Sequence, residues 1–337
     1  ARKYDDPHRV VGITNGANLE WSAGLFRRLL KQVGGESVDQ NRPTAAQVKD
    51  AKRFAKQEFF TELLAVNDQG QPKHLESEVF NRFQDVLRDR TTGTPARVDP
   101  AILAQPTVGF VGRLVVEKFN MGRAWARFVI RALVRAGVNV VLFAPIQQKS
   151  DPSSPSSTIA LALTQLAANL DREWKPGHGR LLFIDSRDSE LKKKALTSLD
   201  ILVLDSDKDT EANGYTEVAA SASGALVMAP PFHNGEGLIR GQGIPIDWSA
   251  PGHGNTILPE NQKSEAYLQS LLQATEVYFD RPDDFAAHQA TSVRLSRPLE
   301  ARLTAAASLR DFNLSYQLPV DVRSDGRWRT GVVAPAG

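Results

Sequence analysis

Residues 199–230 read LDILVLDSDKDTEANGYTEVAASASGALVMAP, and the pattern is strand, loop, helix, strand. Residues 201–204 are a run of branched apolar side chains, as in a strand buried on both faces. Residues 205–213 are polar. Residues 214–223 are mostly small and suit a helix that Gly224 stops. Residues 225–228 form a second apolar run, closed by Pro230 and Pro231. A strand that feeds a helix through a polar loop places that loop at the mouth of a parallel sheet. There, unpaired backbone N–H groups and the positive end of the helix dipole favour a phosphate.

The same alternation extends upstream. Strand 108–111 leads through loop 112–120 to helix 124–136, which Gly137 ends before strand 138–143. A Ser/Pro loop at 149–157, a helix around 159–170, strand 181–184 and helix 189–197 complete the approach to residue 199. Strands and helices alternating at this spacing predict an α/β fold, a doubly wound parallel sheet of the Rossmann-like kind. Right-handed crossovers then gather loops 112–120, 205–214 and 231–243 on one sheet edge.

Around this unit the chain is less regular. A short strand and an Asn-Gly turn occupy 8–16, and a helix is expected over 25–33. Thr44 and Gln47 form a capping-box pattern ahead of Val48, Ala51, Ala55, Phe59 and Leu63, an amphipathic helical stripe. Residues 67–106 are polar, with one helical patch at 79–87, and read as an exposed, mobile insertion. After a Gly-rich stretch to 254, a strand is expected at 256–258. Helices are expected at 264–278, at 282–289 and near 299–309, and the last 25 or so residues read as irregular. The organisation is thus 1–106, a strand, helices and insertion; 107–295, the Rossmann-like unit; and 296–337, a helix and tail.

Composition narrows the function. The 337 residues are 41% apolar, enough for a sizeable core, and carry a formal charge of +2. That mild basicity suits a phosphate-bearing ligand but not nucleic acid, which calls for a clustered basic face. The chain lacks cysteine, which excludes disulfides, a thiolate nucleophile and thiolate zinc sites. No apolar run approaches the roughly 18 residues of a membrane span, and no secretory segment is visible, so a cytoplasmic setting is expected. The chain begins at Ala1 without Met, which reads as a processed form or a piece of a longer protein.

Candidate site residues lie on the predicted edge. Gly112, Arg113 and Lys118 directly follow a buried strand. Arg offers a bidentate fork and Lys a mobile charge, together suited to a diphosphate. The plainer alternative is two solvated cations. Glu211 is placed to accept hydrogen bonds from sugar hydroxyls; the alternative is an acid set at a helix start by the dipole alone. Gly214, Tyr215 and Thr216 sit at a helix start, where glycine admits close approach and Thr216 offers a hydroxyl. His233 and Gly235 belong to a Gly-rich loop that could also be simple surface. Asp205-Ser206-Asp207 after an apolar run has the look of a haloacid-dehalogenase-type phosphatase nucleophile or a metal-binding DxD. Asp209 departs from the phosphatase pattern, and a solvated acidic loop is the competing reading. No HExxH, His cluster, GxSxG elbow or GxGxxG after a strand is present.

With these residues in view, the chain resembles the C-terminal, donor-binding domain of bacterial glycogen or starch synthases, which are GT-B glycosyltransferases. GITNGANLEW (12–21) is similar to the ITNG-x-D-x-x-x-W opening of that domain. Residues 51–64 are similar to its Lys-rich helix, and VGFVGRLVVEK (108–118) to its strand and GRL-x-x-x-K phosphate loop. EANGYTEVAASASGAL (211–226) resembles E-P-C-G-L-T-x-x-E-A-x-x-x-G, HNGEGLI (233–239) stands at the TGGL loop, and 254–285 resembles the segment after it. The resemblance implies a retaining, metal-independent sugar transfer from a nucleotide-sugar donor to a glycan or other hydroxyl acceptor. It gives Arg113 and Lys118 the diphosphate, Glu211 the transferred sugar, and Gly112, Gly214, Tyr215, Thr216, His233 and Gly235 the surrounding contacts.

Three departures accompany it. The second Glu of the E-x7-E pattern, which holds the ribose, is Ala219, with Glu217 near but on another part of the helix. Phe119 replaces the Gly after the Lys. The family's N-terminal half is not in this sequence, and the resemblance implies that it lies upstream or on another chain. Glycogen phosphorylase shares the architecture, but its cofactor lysine would also fall at Ala219, against a pyridoxal-phosphate enzyme. The departures leave open a catalytically degenerate module that binds a nucleotide, a glycan or a protein.

Overall fold

Five short apolar runs make the centre of the molecule: β1 (Thr107–Val111), β2 (Asn139–Phe143), β3 (Leu181–Ile184), β4 (Ile201–Val203) and β5 (Leu226–Met228), each buried along its whole length. Side chains alternate between the two faces of a strand, so a strand buried throughout must be covered on both. The computed structural model describes residues 19–70, 73, 87, 98–112, 114, 124–146, 151–204, 215–228, 260–296, 320–322 and 328–330. It pairs the five strands in parallel in the order β3-β2-β1-β4-β5. Val108 lies opposite both Val140 and Ile201, and Leu202 opposite Val227. The strand order reverses between β1 and β4, and the fold is the expected α/β, doubly wound kind.

The connecting helices follow from that order. Right-handed crossovers put α4 (Ala124–Arg135) and α5 (Pro155–Arg172) on one face. They put α6 (Ser189–Ser198) and α7 (Tyr215–Ala222) on the other. Two N-terminal helices, α1 (Leu19–Gly34) and α2 (Ala45–Leu64), pack over α6, and α1 also reaches α7. On the opposite side α8 (Glu260–Asp280) lies against α4, while α9 (Pro282–Ser296) packs on α2, α7 and β5. A second small core forms where Phe26, Leu29 and Leu30 of α1 meet Val48, Ala51 and Ala55 of α2 and Ala290 and Val293 of α9.

Local signals explain the element ends. Gly137 and Gly224 adopt φ of 83° and 74° after α4 and α7. In each case the following N–H reaches five residues back, Val138 to Leu133 and Ala225 to Ala220, closing a Schellman motif that satisfies a terminal carbonyl. At α2 the capping box is complete: Thr44 Oγ1 accepts from Gln47 N at 3.2 Å, and Thr44 N donates to Gln47 Oε1 at 2.9 Å. Replacing Thr44 with Ala should therefore cost about 1 kcal/mol, measurable by urea unfolding. An unchanged midpoint would show that tertiary packing alone sets the start of α2.

Three expectations are corrected. The segment 67–106 is not simply an exposed insertion. Leu87, Val98 and Ile102 are buried in the main core. Asp99 caps a short helix, α3 (Pro100–Ala104), with proline at its start. Isolated apolar residues in a polar stretch carry no period, so sequence pattern cannot assign them a face. The Ser/Pro loop also ends earlier than expected, because Ser154 is an N-cap, accepting from Ser157 N, and Pro155 opens α5. The tail is not wholly irregular: β6 (Val320–Val322) pairs antiparallel with β7 (Trp328–Thr330). Between them the sequence carries Asp325-Gly326, a strong hairpin signal. The strand expected at 8–16, the helical patch at 79–87 apart from Leu87, the strand at 256–258 and the helix at 299–309 lie outside the described residues. No helix among the described residues is long and apolar enough to cross a membrane.

Candidate functional site

The carboxyl ends of β1, β4 and β5 stand side by side, and the chain leaves all three at that edge. β1 and β4 flank the point where the strand order reverses, which in open parallel sheets opens a crevice for ligands. Gly112 follows β1 immediately, and its N–H donates to Phe143 O at 3.0 Å, continuing the ladder with β2. A Cβ at Gly112 would press on the Phe110 ring at 3.0 Å. Two residues on, Leu114 is fully buried and bridges to Ile146, its N–H donating to Pro145 O at 3.3 Å. Leu114 thus ties the chain just past β1 to the connection after β2.

Asp185, buried just past β3, accepts from Ile146 N at 3.0 Å and pins the neighbouring connection at the same edge. Tyr215 and Thr216 open α7, the helix fed by β4, and Thr216 is half-buried in its first turn. Gly112, Tyr215 and Thr216 therefore lie on the connections of adjacent strands. Arg113, Lys118, Glu211, Gly214, His233 and Gly235 lie outside the described residues, as does the acidic stretch 205–210.

Two positions on α7 bear on the departures from the family pattern. Ala219 is 0% exposed and belongs to the main core. Its methyl faces the packing beneath the helix. Glu217 is also buried and sits in the helix's first turn, where an acid is favoured by the helix dipole.

A second polar constellation, which sequence pattern did not single out, lies at the opposite, amino edge of the sheet. Lys56 and Asp200 form an ion pair at 2.5 Å with both side chains 2% exposed. Asp200 directly precedes β4, and its Oδ2 also accepts Thr107 N at 2.8 Å, at the start of β1. One carboxylate thereby ties the first residues of the two central strands to α2. The other donors of Lys56 are satisfied by Gln105 O at 2.8 Å and Tyr278 Oη at 3.0 Å. One turn earlier, Lys52 Nζ donates to Thr197 O at 2.9 Å and Leu199 O at 2.5 Å. It caps the carboxyl end of α6, where a cation complements both the orphan carbonyls and the dipole.

The two lysines titrate in opposite directions. Burial drives Lys52 down to about 7; Asp200 opposes that shift and Lys56 adds to it. Burial also works against charge on Lys56, but Asp200 and Tyr278 outweigh it and hold Lys56 above the ordinary lysine value. Burial, followed by the Asp200 charge, raises Tyr278.

The consequence for stability has a definite sign. Between pH 7 and 10.5 the unfolded chain keeps the Lys52 proton that the native state has released, so stability should rise with pH across that window. The contribution of Lys56 is complete below 10.5 and is lost as pH climbs through its own raised value. Chemical-denaturation midpoints should therefore climb from neutral pH and turn over in the far alkaline range. Lys52→Met should flatten the climb; a climb of unchanged slope in that variant would assign it to other groups.

The sequence signal for this cluster was present. Lys52 and Lys56 fall on the same helical stripe as Val48, Ala51, Ala55 and Phe59, where a lysine must find a buried partner. Among the described residues no group of three or more His, Asp or Glu side chains is arranged to hold a metal ion. No protein-family model matches the chain, and no curated protein matches it.

Proposed function

We propose that the chain is the donor-binding part of a retaining glycosyltransferase that uses a nucleotide-activated sugar, similar to the C-terminal half of glycogen and starch synthases. The observation that carries this reading is the sheet order β3-β2-β1-β4-β5. It brings the connection beginning at Gly112 and the one ending at Tyr215 to adjacent strands at a switch point. Arg113 and Lys118 hold the donor diphosphate, and the first turn of α7 adds backbone N–H groups and dipole. Cationic groups so placed stabilise the nucleotide as it leaves, without a metal ion. Glu211 accepts hydroxyl hydrogen bonds from the transferred sugar. A glycan or other hydroxyl compound is the acceptor, and a second GT-B half closes the cleft from upstream or from another chain.

A second reading rests on Ala219. A methyl group buried in the core cannot bind ribose, which favours a module that binds nucleotide, glycan or protein without turnover. A panel of ADP-, UDP- and GDP-sugars, offered with oligoglucan acceptors to the chain joined to its complementary half, separates the two. Sugar transfer supports the enzyme; saturable binding without transfer or hydrolysis supports the silent module. Binding of none of them overturns both.

A further inference from the structure

The amino edge of the sheet carries more than a structural ion pair. A cavity of about 390 Å³ opens between α2, α3, α8 and the start of α9, within the size range of small-molecule sites. One wall is a helical stripe of four basic side chains, Lys49, Lys52, Arg53 and Lys56, at positions i, i+3, i+4 and i+7 of α2, with Asp50 beside them. Such a row repels itself along the helix. The facing wall is apolar and largely aromatic, with Tyr278, Phe279, Pro282 and Phe285.

The cations differ in how far they are neutralised. Lys56 is matched by Asp200 on the floor, and Lys52 is held by two main-chain carbonyls. Lys49 reaches Asp283 at 2.8 Å, but both side chains are at least half exposed, so that pair is weak and exchangeable. The nearest carboxylate to Arg53 is Asp50 at 3.9 Å, and its side chain is 70% exposed, leaving its fork open to an oxyanion. Across the mouth, Phe279 is 49% exposed, its ring meeting Tyr278 edge-on at 5.7 Å and keeping about half its surface open. A guanidinium fork and an ammonium on one side and the half-exposed Phe279 ring on the other select a ligand with matching halves: an anionic head and a flat body.

We infer that this cavity is a binding site for a small ring-bearing anion, a phosphate or carboxylate on a ring, with Arg53 and Lys49 on the anion and Phe279 on the ring. The site does not depend on the glycosyltransferase reading. It lies at the opposite ends of the strands from the connections at Gly112 and Thr216, so a ligand here would be separate from any donor at that edge.

Phenyl phosphate is the probe, titrated calorimetrically into the full chain beside its two halves, inorganic phosphate and phenol. The expected result is saturable binding of phenyl phosphate at least about tenfold tighter than either half. Arg53→Glu should weaken it by about tenfold or more with little change in the thermal midpoint, since the side chain is solvent-facing. Ala104→Trp should block it by filling the mouth from an exposed position on α3. The inference is overturned if phenyl phosphate does not bind, if either half binds equally well, or if binding survives both Arg53→Glu and Ala104→Trp.

Discussion

Lys56→Met should lower the free energy of unfolding by about 3–5 kcal/mol, because it strands a buried carboxylate. Asp200 is 2% exposed and loses the lysine paired directly with it, leaving Lys52, which burial pushes down to about 7, as a weaker neighbour among the described residues. The 3.4 Å contact from Gln289 and the Thr107 N–H do not replace a full charge. Gln105 O and Tyr278 Oη lose their shared donor in the same step. The penalty comes from breaking the pair and is not its net worth, since exchanging both members of a buried pair for neutral groups is often close to neutral. Lys56→Met combined with Asp200→Asn should therefore recover much of the loss, because asparagine still accepts from Thr107 N without a charge to bury. Urea unfolding of the wild type, the two single variants and the double variant gives the coupling directly. A single-variant cost below about 1 kcal/mol, or a double variant no better than Lys56→Met, would show that the pair does not hold α2 to the sheet.

The second large effect concerns the donor. Arg113→Ala with Lys118→Ala should weaken nucleotide-sugar binding about a hundredfold or more, since charge-assisted hydrogen bonds contribute about 1.5–3 kcal/mol each. The salt dependence of binding should become shallower at the same time, because two ionic contacts to the diphosphate are lost. The thermal midpoint should barely move, as both substitutions replace charged side chains and not apolar ones. Binding that keeps its affinity and salt slope in the double variant would remove these two residues from the site.

How far the sequence carries the fold depends on the kind of signal. The strand β3 was legible to the residue and β1 to within one, because four or five apolar residues between polar ends admit few other readings. The start of α2 was legible through a reciprocal pair of side chains, Thr44 and Gln47, which is chemistry local to four residues. Long-range partners were not legible. Leu87, Val98 and Ile102 join the core from a polar stretch, and only the three-dimensional path brings them there. The hairpin β6–β7 was passed over although its strands flank Asp-Gly.

The candidate site divides in the same way. Crossover hand sufficed to expect the loops after the strands on one edge, but the strand order that puts Gly112 and Thr216 on adjacent connections comes from the structure. The cluster of Lys52, Lys56, Asp200 and Tyr278 was not, because its members are up to 226 residues apart in the chain. Each looks ordinary alone, a lysine on a helix or an aspartate before a strand. The helical stripe runs through positions 52 and 56, but nothing in the pattern named Asp200 as the partner.

Hydrogen exchange, followed peptide by peptide with and without the nucleotide-sugar that binds most tightly, tests the assignment of the donor to the carboxyl edge of the sheet. Slower exchange in peptides covering 112–120 and 205–216, with α2 and 278–289 unchanged, is the predicted result. Protection absent from 112–120 and 205–216, or confined to α2 and 278–289, would contradict it.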